Sequence, residues 1–195
     1  VRSQIVVADR FTGSFAGSEK DYDIFWKVAG TLGLVYAGQP DKLVFPEPVV
    51  KREAFVVPTD VVYVAQAANV NSLGEFNGIW SVAGSALSLD YLWNEVRVKG
   101  GAYGSGFRRT ATGCARFYSY RDPRIDETLE RYAQAGEWLA SFEPDADELE
   151  GYIVAIVAGR DAPLKPRAIA QRQDLLYFGK FPEGYRERLR QEVLE

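Results

Sequence analysis

A long helical pattern that stops at a double glycine and turns directly into alternating strand residues is the strongest constraint on the fold. From Phe76 to Val96, large apolar residues recur mostly every three or four positions, which predicts the longest helix of the chain. Gly100 and Gly101 end it, and the alternation from Ala102 to Tyr120, with Gly113 near the turn, predicts two paired strands. A helix end and a sheet edge must therefore meet at this point.

The rest of the chain supplies further strands and helices. Before the long helix we predict a strand at 4–8, a helix at 21–36, and a strand pair at 54–57 and 61–68 around a Pro58–Asp60 turn. After the strands, the pattern predicts helices from Leu129, after an Asp145–Glu148 cap, and from a first turn at Pro182, the last one Arg-rich. The order β-α-ββ-α-ββ followed by helices indicates an α+β fold, a two-layer sandwich with a mainly antiparallel sheet and helices on one face. No domain boundary is evident, so 1–195 is predicted to be one domain.

Composition excludes several classes of partner. The 195 residues are 47% hydrophobic and 26% charged, which is typical of a globular chain with one core. A net charge of −4 argues against nucleic acid, and no apolar run is long enough to suggest a membrane partner. The single Cys114 is interpreted as a small buried hydrophobe in a reducing compartment.

The absence of histidine from the sequence restricts the chemistry. Histidine is the commonest metal ligand and the usual general base near neutral pH, so no Ser-His-Asp triad and no histidine-based zinc site can form within these residues. We therefore expect no metal site in this chain. Because the sequence starts at Val1 and contains no methionine, we also expect it to be a piece of a longer polypeptide.

The segment from Asn94 to Gly106 contains the candidate site. Its glycines allow close approach of another backbone, and they bring Arg97 and Tyr103 into one short turn. The simplest alternative is structural, with Tyr103 a strand aromatic and Arg97 a cation at the helix C-terminus. The glycines do not form a phosphate-binding loop, because such loops follow a strand and open a helix.

This segment, together with Ser119-Tyr-Arg-Asp-Pro123 and Glu127-Thr-Leu129, closely resembles the C-terminal domain of insulinase-superfamily zinc peptidases of the presequence-protease branch. In that family an Arg followed by Gly-Gly-Ala-Tyr stands in the C-terminal half, and Arg97 and Tyr103 match it. The resemblance extends more loosely to Asp161, Pro163 and Pro166.

The resemblance implies a metalloendopeptidase of four similar α+β domains that enclose a chamber for unfolded peptides, with this chain as the fourth domain. Zinc would be bound by the N-terminal half of the parent enzyme, which is absent here. Arg97 and Tyr103 would contact the substrate and the developing oxyanion, with substrate-binding positions at Lys99, Gly100, Gly101 and Ala102. The partners would be the sister domains and the peptide, and the location would be the bacterial cytoplasm. The isolated chain would be inactive.

Two other classes of function are compatible with the same fold. One is a non-catalytic scaffold relative that has lost the metal motif, although such a protein has no chemical reason to keep Arg97 with Tyr103. The other is a free-standing peptide-binding module. The acidic cluster of Asp145, Asp147 and Glu148 is explained by helix capping, and the Arg face of the last helix by solvent or a sister domain.

Overall fold

The computed structural model describes residues 7–36, 38, 44, 46 and 49–195. Its helices are α1 (Glu19–Gly30), α2 (Gly78–Ala86, continuing in wider turns through Leu87–Tyr91 and Trp93–Val98), α3 (Asp126–Ala140), α4 (Ala146–Asp161), α5 (Pro166–Phe178) and α6 (Tyr185–Leu194). The strands are β1 (Val62–Asn69), β2 (Gly104–Arg109) and β3 (Cys114–Asp122). The chain divides into two compact units, Val1–Phe55 with Pro163–Pro182 and Val56–Ala162 with Glu183–Glu195.

The first unit contains α1 and α5. Helix α1 ends at Gly30, earlier than predicted, where the Thr31 hydroxyl donates to the Val28 carbonyl at 2.7 Å. Of the strand predicted at 4–8, residues 4–6 lie outside the described residues, and the prediction is wrong for Ala8, which begins a short 3-10 helix. Helix α5 was not predicted separately. Pro166 stands in its first turn, where a missing N–H is harmless, so a proline pattern typical of a loop also permits a helix start.

The second unit is built on a three-stranded antiparallel sheet in the order β1-β3-β2. The strand pair predicted at 102–120 is confirmed, with Phe107 opposite Phe117 and Gly113 in the turn at φ 85°. The strand predicted at 54–57 is wrong: Val56 is fully exposed, and Thr59 N–H bonds the Val57 carbonyl in a turn. Pro58 has no N–H to offer a ladder, so the strand begins only at Val62.

One face of this sheet packs against helices, and on the other face the side chains of Tyr118 and Tyr120 are exposed. Val64 of β1 and Ser119 of β3 are opposite each other and buried, and they lie on the helix side. On the opposite side Tyr118 and Tyr120 lie across Gly106 and Gly104, their partners in β2. A Cβ at either glycine would come within 2.6 Å of a tyrosine ring or its hydroxyl. The predicted two-layer α+β sandwich with helices on one face is therefore confirmed.

The core of the second unit lies between the sheet and helices α2 and α3. Leu92 and Val96 from the C-terminal part of α2 are 0% and 1% exposed, and Tyr132 and Ala135 of α3 complete the same cluster. The Ser88 hydroxyl accepts from Phe107 N–H at 3.0 Å, and the Ser105 hydroxyl donates to the Leu92 carbonyl. These bonds fix the C-terminal part of α2 against β2, next to the candidate site.

The C-terminal part follows the sequence pattern with one correction. The Asp145 cap is confirmed, because its carboxylate accepts from Glu148 N–H at 2.9 Å. The last helix starts at Tyr185 after Gly184 at φ 72°, and Pro182 precedes it.

The burial predicted for Cys114 is wrong: Cys114 starts β3 opposite Asn69 at the end of the sheet, where its side chain is exposed. Within the described ranges, we found no helix with the length and apolar character needed to cross a membrane.

Candidate functional site

The site is built on the junction between α2 and β2. Gly101 N–H bonds the Arg97 carbonyl at 2.9 Å, and Ala102 N–H bonds the Val96 carbonyl at 3.1 Å, which closes the helix end. A Cβ at Gly100 would lie 2.4 Å from the Val96 carbonyl oxygen. Gly101 has φ 89°, a conformation that L side chains rarely adopt. The double glycine is therefore a steric requirement of this turn.

Arg97 is held on both sides of its guanidinium. Its Nε donates to the carbonyl oxygen of Tyr103 at 3.0 Å, and its Cζ lies 3.7 Å from the centroid of the Trp93 ring. Trp93 stands four residues before Arg97 on α2. Side chains at this spacing lie next to each other on a helix, so the Trp93 ring can contact the guanidinium. The two Nη groups have no hydrogen-bond partner within the described part of the chain, which leaves them available to a ligand.

Tyr103 is fixed through its backbone and open through its side chain. Its N–H is shared between the carbonyls of Tyr120 and Arg121, each at 3.2 Å. The side chain is 61% exposed, its ring lies 5.7 Å from the Tyr120 ring, and the Arg121 guanidinium carbon lies 5.6 Å from the ring centroid. No described residue accepts or donates a hydrogen bond at the Tyr103 hydroxyl. The hydroxyl can therefore donate to a bound molecule.

An open cleft of about 520 Å³ brings these groups together. Its lining residues are Arg97, Val98, Gly101, Ala102, Tyr103 and Arg121. Two arginines and one tyrosine are among these residues, and none of the lining residues is acidic. The cleft is therefore suited to carbonyl oxygens or anions, which accept hydrogen bonds from these donors.

Four of the six predicted site residues line the cleft, and two do not. Arg97, Gly101, Ala102 and Tyr103 are among its walls. The Lys99 ammonium instead pairs with the Glu95 carboxylate, four residues earlier on α2. Gly100 lies so close to the Val96 carbonyl that a side chain would not fit there. The substrate-contacting role of all six residues stays a prediction.

Arg121 and Trp93 are the site residues that sequence reasoning missed. Arg121 has φ 48°, one of two positive values among the described non-glycine residues, and the next residue, Asp122, is completely buried. Asp122 accepts from the Ser119 hydroxyl at 2.6 Å, from Thr128 at 2.8 Å and from Arg124 N–H at 2.9 Å. In the sequence, Arg121 counted only as part of the segment that carries the family resemblance, and it had no predicted site role. The signal that the sequence offered was the Arg-Asp-Pro triplet after the alternating strand residues.

Zinc does not fit the residues present. The sequence has no histidine, and the described residues contain no group of three or more Cys, Asp or Glu side chains placed to hold a metal ion. The buried carboxylate of Asp122 is already fully engaged with its three donors.

Comparison with known proteins identifies the class. The family described as the PreP C-terminal domain matches residues 52–195, which covers the whole sheet and the cleft. The chain therefore belongs to this family, the C-terminal domain of insulinase-family presequence proteases. The family match confirms the resemblance drawn from the Arg97–Tyr103 segment.

Individual relatives agree with this assignment. Protein HypA of Clostridium perfringens is 44% identical over 117 residues, covering 58% of this chain and 12% of its own length. Presequence protease 1, chloroplastic/mitochondrial, of Arabidopsis thaliana is 35% identical and covers 74% of this chain and 14% of its own length. Mouse mitochondrial presequence protease is 26% identical, with 73% and 14% covered. The chain thus spans less than a sixth of these relatives, and it is a peptidase-associated domain.

The comparisons also correct one expectation. The sequence analysis placed the protein in the bacterial cytoplasm. That expectation is wrong, because the presequence proteases that the chain matches are named as mitochondrial or chloroplastic. The Clostridium relative is bacterial, but its name gives no location.

Proposed function

We propose that this chain is the fourth, chamber-closing domain of a zinc metalloendopeptidase that degrades unfolded peptides. In this proposal Arg97 and Tyr103 clamp the peptide backbone near the scissile bond. The observation that supports it most is the hydrogen bond from Arg97 Nε to the Tyr103 carbonyl, which ties the Arg97 side chain to the backbone of Tyr103 where both residues line one cleft. The match covers only 12% and 14% of the length of the two relatives from Clostridium and Arabidopsis. In this proposal the peptidase activity therefore belongs to a longer polypeptide.

Arg97 has the role of a substrate clamp. Its Nε bond and its contact with the Trp93 ring hold the guanidinium, and its two Nη groups have no hydrogen-bond partner among the described residues. A planar guanidinium held in this way donates to carbonyl oxygens with little further loss of side-chain freedom. Arg97 therefore orients the peptide before cleavage.

Tyr103 has the role of a proton donor in a hydrogen bond to the substrate oxygen that gains charge. Such donors accelerate acyl transfer because they stabilise the transition state more than the ground state. The exposed hydroxyl and the fixed backbone of Tyr103 suit this task. This role is a hydrogen bond alone and requires no transfer of the phenol proton.

The metal belongs to other parts of the proposed enzyme. Zinc would be held by residues of the parent polypeptide outside this chain, and when bound it would supply the activated water for peptide hydrolysis. These 195 residues would bind and orient the peptide and exclude water when sister domains close over it. By itself the chain would cleave no peptide bond.

Peptide cleavage by the parent polypeptide tests the proposal. An unfolded fluorogenic peptide is assayed with the wild type, with a zinc chelator, and with Arg97→Gln. We expect chelation to abolish cleavage and added zinc to restore it, and we expect Arg97→Gln to raise KM about tenfold, the scale for one hydrogen bond to a charged group.

Arg124→Gln is the matched control for Arg97→Gln. Arg124 is exposed and pairs with Glu127 at 3.9 Å, and it lies outside the cleft lining. Its kinetics should stay within twofold of wild type, given the small contribution of surface pairs. Cleavage that persists in the chelated parent, or cleavage by the isolated chain, would contradict the proposal.

A further inference from the structure

We propose that Arg121 is a specificity-determining residue that binds a carboxylate of the peptide substrate beside Tyr103. This inference rests on the proposed function and names the chemistry of its substrate. Arg121 lines the same cleft as Arg97 and Tyr103, and its guanidinium carbon lies 5.6 Å from the Tyr103 ring centroid. A carboxylate held there lies next to the phenol that contacts the reacting peptide.

The charge around Arg121 is not balanced within the described residues. The nearest carboxylate in sequence, Asp122, is buried and accepts hydrogen bonds from Ser119, Thr128 and Arg124 N–H. Glu127 pairs with Arg124. Arg97, the other cation of the cleft, also has no carboxylate partner among the described residues. Two like charges thus face one open space, and an anion there would relieve their repulsion.

The backbone at Arg121 is held in an unfavourable conformation. Its φ of 48° is left-handed, which a long L side chain adopts at a cost in free energy. The three hydrogen bonds to Asp122 on one side and the Tyr103 N–H bond to the Arg121 carbonyl on the other hold this geometry. In this geometry the Arg121 guanidinium lies over the Tyr103 ring.

A guanidinium is well matched to a carboxylate. It can donate two parallel N–H bonds to the two oxygens, which gives both strength and orientation. In a peptide substrate this group has two sources, an Asp or Glu side chain and the free C-terminus. Both offer the same two oxygens to Arg121, and they differ only in where along the peptide the group must stand.

The test compares matched peptides with the parent polypeptide. In one arm a single Glu is moved along an unfolded peptide, and each version is paired with its Gln counterpart. In the other arm a peptide with a free C-terminus is paired with its C-terminal amide. We expect wild type to favour the carboxylate form by about tenfold in kcat/KM in one arm, the scale of a charge-assisted hydrogen bond.

Variants of Arg121 then assign the preference. Arg121→Gln should bring the ratio close to 1, and Arg121→Lys should keep part of it, because an ammonium retains the charge and loses the planar pair of donors. Arg124→Gln should leave the ratio unchanged. Each ratio compares two peptides with one preparation, so a partly unfolded fraction cancels, and Arg121→Lys gives the answer if Arg121→Gln does not fold.

The failure of this inference differs from the failure of the proposed function. If the parent cleaves peptides and Arg97→Gln impairs cleavage, but Arg121→Gln leaves the wild-type ratio unchanged, the carboxylate site is contradicted alone. A wild-type ratio near 1 in both arms, or an equal loss in Arg124→Gln, also contradicts it. If the parent cleaves no peptide, the proposed function fails, and this inference fails with it.

Discussion

Arg97 Nε donates to the carbonyl oxygen of Tyr103 at 3.0 Å, across the turn that separates the end of α2 from the start of β2. Because the acceptor is a backbone atom, this bond ties the Arg97 side chain to the backbone of Tyr103, the residue just before β2. The geometry of the two donors therefore depends on the two glycines between them and on the neighbours of each side chain.

Gly101→Ala tests the turn. Alanine at φ 89° adopts an unfavourable left-handed conformation, so we expect a loss of about 1–2 kcal/mol in the free energy of unfolding and a decrease in kcat/KM of the parent. Chemical denaturation and peptide kinetics measure both. Gly151→Ala is the control, because this helical glycine of α4 has open space and no positive φ, and alanine should stabilise it slightly. Equal effects of the two changes would refute the steric role of Gly101.

Trp93→Leu tests the support of Arg97. Without the ring at 3.7 Å, the guanidinium loses the surface that fixes its plane, and we expect KM for an unfolded peptide to rise about threefold to tenfold. Trp93→Phe keeps an aromatic face and should stay within about twofold of wild type. If Leu and Phe behave alike, the ring does not position Arg97.

Asp122→Ala tests the turn after β3. The change leaves two hydroxyls and one N–H without their acceptor in a buried site, so we expect a loss of about 2–4 kcal/mol in the free energy of unfolding. Asp147→Ala, at an exposed position in the first turn of α4, should cost less than about 1 kcal/mol. Urea denaturation compares the two, and similar losses would show that the Asp122 network contributes little.

Tyr132 predicts a pH dependence of stability. Burial raises the pKa of Tyr132 to about 12, from 10 in an unfolded chain. Between these values the unfolded state loses the phenol proton while the folded state keeps it, so the Tyr132 contribution is complete below pH 10 and is lost as the pH rises to about 12. The melting temperature of Tyr132→Phe should fall less steeply with rising pH over this window than the melting temperature of the wild type. Parallel curves would contradict the shift.

The helix-to-sheet junction could be predicted from the sequence because its signals are local. The apolar spacing before Gly100 and the alternation after Gly101 each fix one element type. The strand expected at 54–57 failed because β-branched residues favour a strand only where a neighbouring strand pairs with them, and Val56 has none. The exposure of Cys114 likewise depends on where β3 begins in the sheet.

The site was only partly visible in the sequence. Arg97 and Tyr103 stand six residues apart and could be grouped by their motif. Arg121 comes from the end of β3 and reaches Tyr103 only because β3 pairs with β2, so pairing register decides its place. Lys99 stands four residues after Glu95, and this spacing permits an ion pair on the helix surface but does not require one. The sequence therefore did not show that Lys99 pairs with Glu95.

Substitution of Tyr103 by phenylalanine in the parent polypeptide tests the central claim most directly. The change removes only the hydroxyl and keeps the ring beside Tyr120 and Arg121. We predict that kcat falls on the order of 10²-fold, as for the loss of one oxyanion donor. Tyr63→Phe, at an exposed position on β1, should leave kcat unchanged. A change in kcat below about twofold for Tyr103→Phe would contradict a role for its hydroxyl in the reaction.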